Sequence, residues 1–140
     1  MVGILLVTHN GLGNSLLDCV RHVLRTLPPH LRSLSVQEDD DPSQKEAEGR
    51  ALIAELDQGD GVLILTDMFG ATPSNIGRRL CLSDRVMGVA GVNLPMLLRI
   101  SCCCDKPLGE MAQRALEGGR ECIVYMDSEN HHVATGCLDH

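Results

Sequence analysis

The sequence lacks tryptophan, and its 140 residues include one phenylalanine, Phe69, and one tyrosine, Tyr125. A core built from this chain must therefore be aliphatic, and the aromatic platforms on which single-stranded nucleic acids stack are missing. Basic residues are also outnumbered, so that the formal net charge is −7. Because nucleic acids bind mainly through cationic side chains that contact phosphates, both deficits disfavour nucleic acid as a partner.

Long hydrophobic runs are absent as well. No apolar stretch approaches the roughly 20 residues that cross a membrane, and the first residues, Met-Val-Gly, carry no basic targeting segment. We therefore expect a cytoplasmic protein. In that compartment the seven cysteines predict reduced, buried thiols rather than a disulfide framework. The length fits one domain, which we place at 1–126, followed by a flexible tail at 127–140.

What the chain does contain is an alternation of strand and helix patterns. Short apolar runs rich in β-branched residues predict buried strands at 2–8, 31–36, 61–66 and 85–92. Amphipathic spacing predicts helices at 14–27, 43–56, 72–80, 93–104 and 108–116. Ser43 and Glu46 form a capping box, which predicts that the second helix begins there. Thr72 is the expected N-cap of the third helix, and we expect the last helix to end at Gly118-Gly119. Residues 121–126 could add a fifth strand.

This alternation predicts an α/β fold with a mainly parallel sheet flanked by helices. We expect the flavodoxin-like strand order 2-1-3-4, with a fifth strand added antiparallel. Ligands of such sheets bind beyond the carboxyl ends of the strands, where the strand order reverses. His9 follows the first predicted strand and Asp67 follows the third, so this order would place the two side chains opposite each other in one site.

A histidine held by a carboxylate is a chemical unit with a clear use. The acid accepts the proton of one ring nitrogen, which fixes the tautomer and leaves the other nitrogen as a nucleophile. Glycines in the turn after His9, Gly11 and Gly13, would let backbone amides approach a bound anion. At the start of the third helix, further N–H and polar side-chain groups could bind a phosphoryl group, namely those of Thr72, Ser74 and Asn75.

Each of these features also has a plain structural explanation. A histidine in a loop is more often incidental than catalytic, and Asp67 or the glycines could serve only as turn residues. The triplet Cys102–Cys104 invites a metal site, but neighbouring helical residues point about 100° apart, so a buried thiol face is the better interpretation and we expect no metal. The expected tail contains His131, His132 and Cys137. We assign Arg78 and Arg79 to a helix face that is exposed to solvent.

Three separated segments resemble the IIA domain of the mannose-type bacterial phosphotransferase system (PTS). They are VTHNGLG (7–13), ILTDMFGATPSN (64–75) and VAGVNLPMLL (89–98), and the similarity runs over about residues 2–126, including GGREC (118–122). The resemblance implies a cytoplasmic relay without cofactors: His9 accepts a phosphoryl group from the phosphocarrier HPr and passes it to a histidine of a IIB domain or protein. It also implies that Asp67 orients His9 and that Thr72 places a hydroxyl near the phosphoryl group.

The resemblance further implies a homodimer in which the last strand is exchanged, and contact with the membrane only through a IIC/IID permease. The relay would serve sugar uptake or regulation. Two other functions stay open at this point. One is a flavodoxin-like module that holds a small ligand or nucleotide without covalent chemistry. The other is a regulatory domain in which phosphorylation of His9 switches partner contacts.

Overall fold

The computed structural model describes residues 1–127. Its elements in chain order are β1 (Gly3–His9), α1 (Leu12–Leu24), β2 (Leu31–Val36), α2 (Pro42–Leu56), β3 (Val62–Thr66), α3 (Thr72–Leu80), β4 (Val86–Ala90), α4 (Leu94–Ser101) and α5 (Leu108–Glu121). Within these residues no helix is both long and apolar enough to span a bilayer. The predicted tail, apart from Asp127, lies outside the described residues, and so do His131, His132 and Cys137.

The four strands form one parallel sheet in the order β2-β1-β3-β4, which confirms the predicted α/β fold and strand order. Strand β1 lies between β2 and β3, where His9 is in register with Val36 and Val7 with Thr66. All strands run the same way, so their carboxyl ends share one edge of the sheet. The turns that leave β1 and β3 therefore lie side by side at that edge.

Two hydrophobic clusters cover the two faces of the sheet. Ile4 and Leu6 of β1 point into the cluster that α1, α4 and α5 complete. Leu5 and Val7 point to the opposite face, into the cluster formed with α2 and α3. Successive strand residues face opposite sides, and both sides are buried here. This explains why the strands read as continuous apolar runs instead of alternating patterns.

Two helices begin with different caps from those predicted. Helix α2 starts at Pro42, and the carboxylate of Asp41 caps it by accepting the N–H of Ser43; Ser43 is inside the helix and is not the cap. Helix α3 starts at Thr72, so Ala71 is its N-cap and Thr72 is its first residue. In both cases the proline lies at the helix start, which its fixed φ allows, and the chain enters the helix one or two residues from the predicted boundary.

Helix α1 ends earlier than predicted. It ends at Leu24, because Arg25 takes up the left-handed conformation with φ of 69° and breaks the helical path. The residues up to Pro28 then turn towards β2. Pro28 therefore follows the end of the helix.

Helices α4 and α5 also differ from the prediction. Helix α4 ends at Ser101, with Cys102 as its C-cap, so the cysteine triplet follows the helix. Helix α5 continues through Gly118 and Gly119 to Glu121. Both glycines are buried, and a Cβ at Gly118 would lie 2.9 Å from Cδ of Arg99 on α4. The glycine pair thus permits close helix packing instead of ending the helix.

The predicted fifth strand is not formed, since residues 122–127 have no regular structure. Among the cysteines in residues 1–127, Cys19, Cys81 and the triplet form no disulfide, as predicted, but Cys19 and Cys102 are exposed and not buried. Cys122 differs from that prediction, because it is disulfide-bonded.

Candidate functional site

The structure brings His9 and Asp67 together at the carboxyl edge of the sheet. His9 is the last residue of β1, and Asp67 directly follows β3. Oδ2 of Asp67 lies 2.8 Å from Nδ1 of His9 and also accepts the backbone N–H of His9 at 3.1 Å. His9 and Asp67 are 58 residues apart in the chain. They form one hydrogen-bonded pair because the strands that precede them are adjacent in the sheet.

This geometry determines the protonation of the imidazole. An ionised carboxylate can only accept hydrogen bonds, so Nδ1 of His9 carries the proton and Nε2 keeps its lone pair. Burial of Asp67 opposes its ionisation, but the hydrogen bonds from His9 outweigh that effect and hold the pKa of the carboxyl below its usual value. The acid therefore stays ionised at neutral pH and maintains this tautomer.

The two partners differ in their exposure to solvent. The side chain of His9 is 46% exposed, whereas that of Asp67 is 11% exposed. A reacting partner can consequently reach the imidazole but not the carboxylate. Oδ1 of Asp67 is buried and accepts no hydrogen bond from residues 1–127. The hydrogen bonds that the protein itself gives to this carboxylate are thus concentrated on Oδ2, the oxygen that faces His9.

The turn after His9 leads directly into α1. Gly11 is the N-cap of this helix, no side chain caps it, and a Cβ at Gly11 would meet nothing within 4 Å. Gly13 differs, because its N–H donates to Oγ1 of Thr8 at 2.8 Å. Of the two glycines expected to offer amides to an anion, the one at 13 is thus already engaged. Thr8 was not among the predicted site residues, although its place directly before His9 at the polar exit of a strand was a usable signal.

The start of α3 holds the other predicted phosphoryl-binding residues. Thr72 and Asn75 are exposed, and Ser74 is buried. The hydroxyl of Ser74 accepts the N–H of Gly70 at 2.8 Å and donates to the carbonyl of Ala71 at 2.9 Å. Ser74 therefore secures the loop between Asp67 and α3, and its side chain has no direct access to a ligand.

Exposed apolar side chains follow both members of the pair, a feature that sequence reasoning missed. Met68 and Phe69 come directly after Asp67 and are 60% and 72% exposed, and Leu12 at the start of α1 is 44% exposed. Large apolar side chains in such positions are typical of protein contact surfaces. The signal in the sequence was the Met-Phe step at a position where a strand exit is otherwise polar.

A separate cavity of about 280 Å³ lies between α3 and the strands β3 and β4. Its lining includes Ile64 and Thr66 of β3 together with Phe69, Arg78 and Cys81. His9 is not part of its lining, so the cavity does not contain the reactive nitrogen. Residues 1–127 hold no cluster of three or more histidine, cysteine or acidic side chains arranged to bind a metal ion.

Comparison with known proteins identifies the family of this arrangement. The family model described as the PTS fructose IIA component matches residues 3–116. The mannose-specific EIIAB component of Escherichia coli K12 is 36% identical over 74 residues, a match that covers 51% of this chain but 23% of that protein.

Solved structures agree with the family match. The mannose/sorbose-specific IIA subunit from Enterococcus faecalis superposes with a TM-score of 0.80 at 20% identity, over 90% of this chain and 95% of that one. The IIA protein associated with a fucose utilization operon in Streptococcus pneumoniae gives 0.69 at 26% identity, over 84% and 93%. Since the family model covers most of the chain and the same fold recurs in these structures, the chain belongs to the mannose-type family of PTS IIA components.

Proposed function

We propose that the chain is a phosphoryl-relay protein of the phosphoenolpyruvate-dependent PTS. In this proposal His9 accepts a phosphoryl group from phospho-HPr and passes it to a histidine of a IIB domain or protein, for sugar uptake or regulation. The observation that carries the proposal is the bond of 2.8 Å between Nδ1 of His9 and Asp67. It leaves Nε2, on an exposed ring, as the nucleophile.

The chemistry is an in-line exchange between two imidazoles. As the bond from Nε2 of His9 to phosphorus forms, the bond from phosphorus to the donor imidazole breaks, and the donor nitrogen keeps the electron pair. The ring of His9 gains positive charge during this step, and the carboxylate of Asp67 stabilises it through Nδ1–H. No cofactor takes part, because phosphohistidine is already a reactive donor and the protein contributes positioning and charge stabilisation.

The same step needs groups that bind the phosphoryl oxygens. The N-termini of α1 and α3 present backbone N–H groups at the edge of the sheet that carries His9, and helix N-termini favour anions. We assign this role to the N–H of Gly11, to Thr72 and Asn75 with their exposed polar groups, and to the backbone of Ser74. The hydroxyl of Ser74 is excluded from that role, because it already makes two hydrogen bonds within its loop.

The partner proteins require a docking surface around His9. Three large, apolar and exposed side chains follow the pair in the chain, Leu12 after His9 and Met68 and Phe69 after Asp67. We propose that HPr and the IIB partner contact these three side chains, which we call the docking patch, while the imidazole reaches the partner histidine. Exclusion of water by such contacts would protect the transferring phosphoryl group from hydrolysis.

A homodimer with an exchanged last strand is the second part of the proposal. Strand β4 is at an edge of the sheet, and no strand in residues 1–127 pairs with its outer side. The segment 123–126, with the sequence Ile-Val-Tyr-Met, is exposed and apolar, with Ile123 at 76% and Met126 at 103%. A sheet edge that no strand of residues 1–127 covers and an exposed apolar segment complement each other, so that the segment of one copy would extend the sheet of the other.

The oligomer is tested by measuring molar mass with size-exclusion chromatography and light scattering. We expect a dimer for the wild-type chain and a monomer for Val124→Lys, since the lysine would have to be buried beside β4. Val23→Lys is a matched control, because Val23 on α1 is 38% exposed and Val124 is 43% exposed. A monomeric wild type, or a Val124→Lys variant that remains a dimer, would rule out strand exchange.

The relay is tested by incubation with enzyme I, HPr and phosphoenolpyruvate. We expect intact-mass analysis to show one added phosphoryl group that is labile in acid, and ³¹P NMR to place it on Nε2. His9→Ala should remain unlabelled, whereas His22→Ala, at an exposed histidine on α1, should be labelled like the wild type. Labelling of His9→Ala, or no labelling of the wild type, would refute the proposal.

The partners of the labelled protein separate the remaining functions. Transfer from phospho-His9 to a IIB protein would support a relay, whereas a changed set of bound partners without an acceptor would indicate a regulatory switch. A nucleotide or flavin that is retained through purification, together with an unlabelled His9, would instead support the ligand-binding module.

A further inference from the structure

The turn that carries His9 is tied to helix α1 by a residue that the proposed relay does not use. Thr8 is fully buried, and its Oγ1 accepts the N–H of Gly13 at 2.8 Å. Gly13 is the second residue of α1, so this bond spans His9 and the whole turn behind it. The strand end that presents the imidazole and the helix start that follows it are thereby held in one fixed arrangement.

The other side of the turn is fixed by the backbone. The N–H of Asn10 donates to the carbonyl of Val36 on β2 at 3.0 Å, and Asn10 adopts a left-handed φ of 49°. Asparagine tolerates this conformation better than most residues. The chain therefore turns sharply after β1, and the hydrogen bond from Gly13 to Thr8 fixes the position at which α1 begins.

A side chain at position 13 would crowd two hydroxyl groups in this arrangement. A Cβ there would lie 3.0 Å from Oγ1 of Thr8 and 2.3 Å from Oγ of Ser33. By contrast, a Cβ at Gly11 would meet nothing within 4 Å. Gly13 thus permits the close contact with Thr8, whereas Gly11 lies beside open space.

The bond also determines which amides of α1 stay available. The first N–H groups of a helix lack partners inside the helix and carry its positive end. Thr8 engages the N–H of Gly13, while those of Leu12 and Asn14 meet no acceptor within residues 1–127. The single hydroxyl of Thr8 therefore fixes both the direction of the helix start and the set of amides that can face an incoming phosphoryl group.

We propose that Thr8 is a positioning residue for phosphoryl transfer at His9. It touches neither the imidazole nor the phosphoryl group, and it acts by holding the first turn of α1 at a fixed position relative to Nε2. This inference rests on the proposed relay function. Loss of the hydroxyl should slow transfer and weaken the protection of phospho-His9, while the docking patch and the hydrogen bond between His9 and Asp67 remain.

The test compares Thr8→Val with Thr8→Ser, using excess phospho-HPr and intact-mass time courses. Since a 1 Å misplacement in an active site can cost up to about 10²-fold in rate, we expect Thr8→Val to lower kcat about tenfold with KM for phospho-HPr unchanged. Spontaneous hydrolysis of phospho-His9 should become faster, and the ³¹P resonance should shift. Thr8→Ser keeps the hydroxyl, and both rates should return to within about twofold of the wild type.

Thr66→Val provides a matched control. Thr66 ends β3 directly before Asp67, as Thr8 precedes His9, and it is 5% exposed. Its hydroxyl, however, has no hydrogen-bond partner in residues 1–127. The same loss of a buried hydroxyl should therefore leave the rate unchanged at position 66.

The outcomes separate the two proposals. If Thr8→Val is labelled at the wild-type rate, or if Thr66→Val is slowed as much, the positioning role is refuted while the relay stands. Failure of Thr8→Ser to restore the rate would also refute the role, because it would assign the effect to packing. A wild-type chain that is not labelled would refute the relay itself. Should Thr8→Val not fold, Thr8→Ala measured against Thr66→Ala gives the same decision.

Discussion

Replacement of Asp67 by asparagine tests how the site activates His9. In the wild type, one oxygen of an ionised carboxylate accepts both the Nδ1–H of His9 at 2.8 Å and its backbone N–H at 3.1 Å. Asp67→Asn keeps the shape of the side chain and removes the charge. The variant therefore separates the electrostatic contribution of Asp67 from its packing.

The size of the effect follows from the two bonds. A hydrogen bond to a charged group contributes roughly 2 kcal/mol and one between neutral groups roughly 1 kcal/mol, so each of the two bonds loses about 1 kcal/mol. Only the bond to Nδ1 becomes stronger as the ring gains positive charge in the transition state, so its loss appears in the rate, whereas the bond from the backbone N–H is the same before and during transfer. At 1.36 kcal/mol for each factor of ten, transfer to His9 should slow about fivefold.

An amide can slow the reaction further by selecting the wrong tautomer. If the NH₂ group of the asparagine turns towards Nδ1, that nitrogen must accept a hydrogen bond and the ring proton moves to Nε2. The lone pair that attacks phosphorus is then lost. The fivefold decrease is therefore the smaller of the two expected effects.

The assay is the initial rate of His9 phosphorylation by excess phospho-HPr, quenched and read by intact mass. Asp18→Asn is the control, because Asp18 is 72% exposed and forms a surface ion pair with Arg21, and it changes the net charge by the same amount. We expect its rate to stay within about twofold of the wild type, since surface ion pairs contribute little. Equal rates for Asp67→Asn and the wild type, or an equal loss in Asp18→Asn, would refute the reasoning.

Two further predictions concern stability. Burial and the nearby N-terminal charge lower the pKa of His30 below its ordinary 6.5, so the unfolded chain takes up a proton at higher pH than the folded one. The free energy of unfolding should then have its full value above about pH 6.5 and decrease as the pH falls below it. His30→Leu should reduce the difference in stability between about pH 5 and about pH 7.5, as measured by urea denaturation. An unchanged difference would contradict this prediction. At Gly3 a Cβ would lie 2.7 Å from Cβ and 2.9 Å from the carbonyl oxygen of Leu56, so Gly3→Ala should destabilise the fold by about 1–3 kcal/mol. Gly109→Ala should not destabilise it, because a Cβ at Gly109 would meet nothing within 4 Å. Equal urea midpoints for the two variants would refute the steric argument.

Where prediction from the sequence succeeded, the signal was local and repeated. The apolar runs of β1 and β3 are short, rich in β-branched residues and followed by polar exits, so that the strands and the parallel sheet could be predicted. The order 2-1-3-4 was the flavodoxin-like order expected of such a sheet, and with it the exits at His9 and Asp67 indicated the edge at which they meet. Hydrophobic patterning along the chain determines the strands, because burial of both faces of a sheet requires continuous apolar runs.

Where it failed, two equivalent local choices existed and packing decided between them. Gly118-Gly119 could end a helix or allow a neighbour to come close, and the side chain of Arg99 on α4 shows that the second applies. Asp41 and Ser43 could each cap α2, and in the fold it is Asp41 that accepts the N–H of Ser43. The segment 121–126 has strand character, but Glu121 is the last residue of α5, and residues 122–126 pair with none of the four strands of residues 1–127.

The sequence by itself determined that this is an α/β protein with a histidine and an aspartate at the exits of two strands. Only the tertiary structure decided which ring nitrogen faces the carboxylate, and therefore that Nε2 of His9 is the one left to react. It likewise decided that Ser74 and the N–H of Gly13 are already engaged, and that Thr8 holds the turn. Patterning specifies which residues come to one edge of the sheet, whereas the partner of each polar atom depends on distances of a few tenths of an ångström, which only the folded chain establishes.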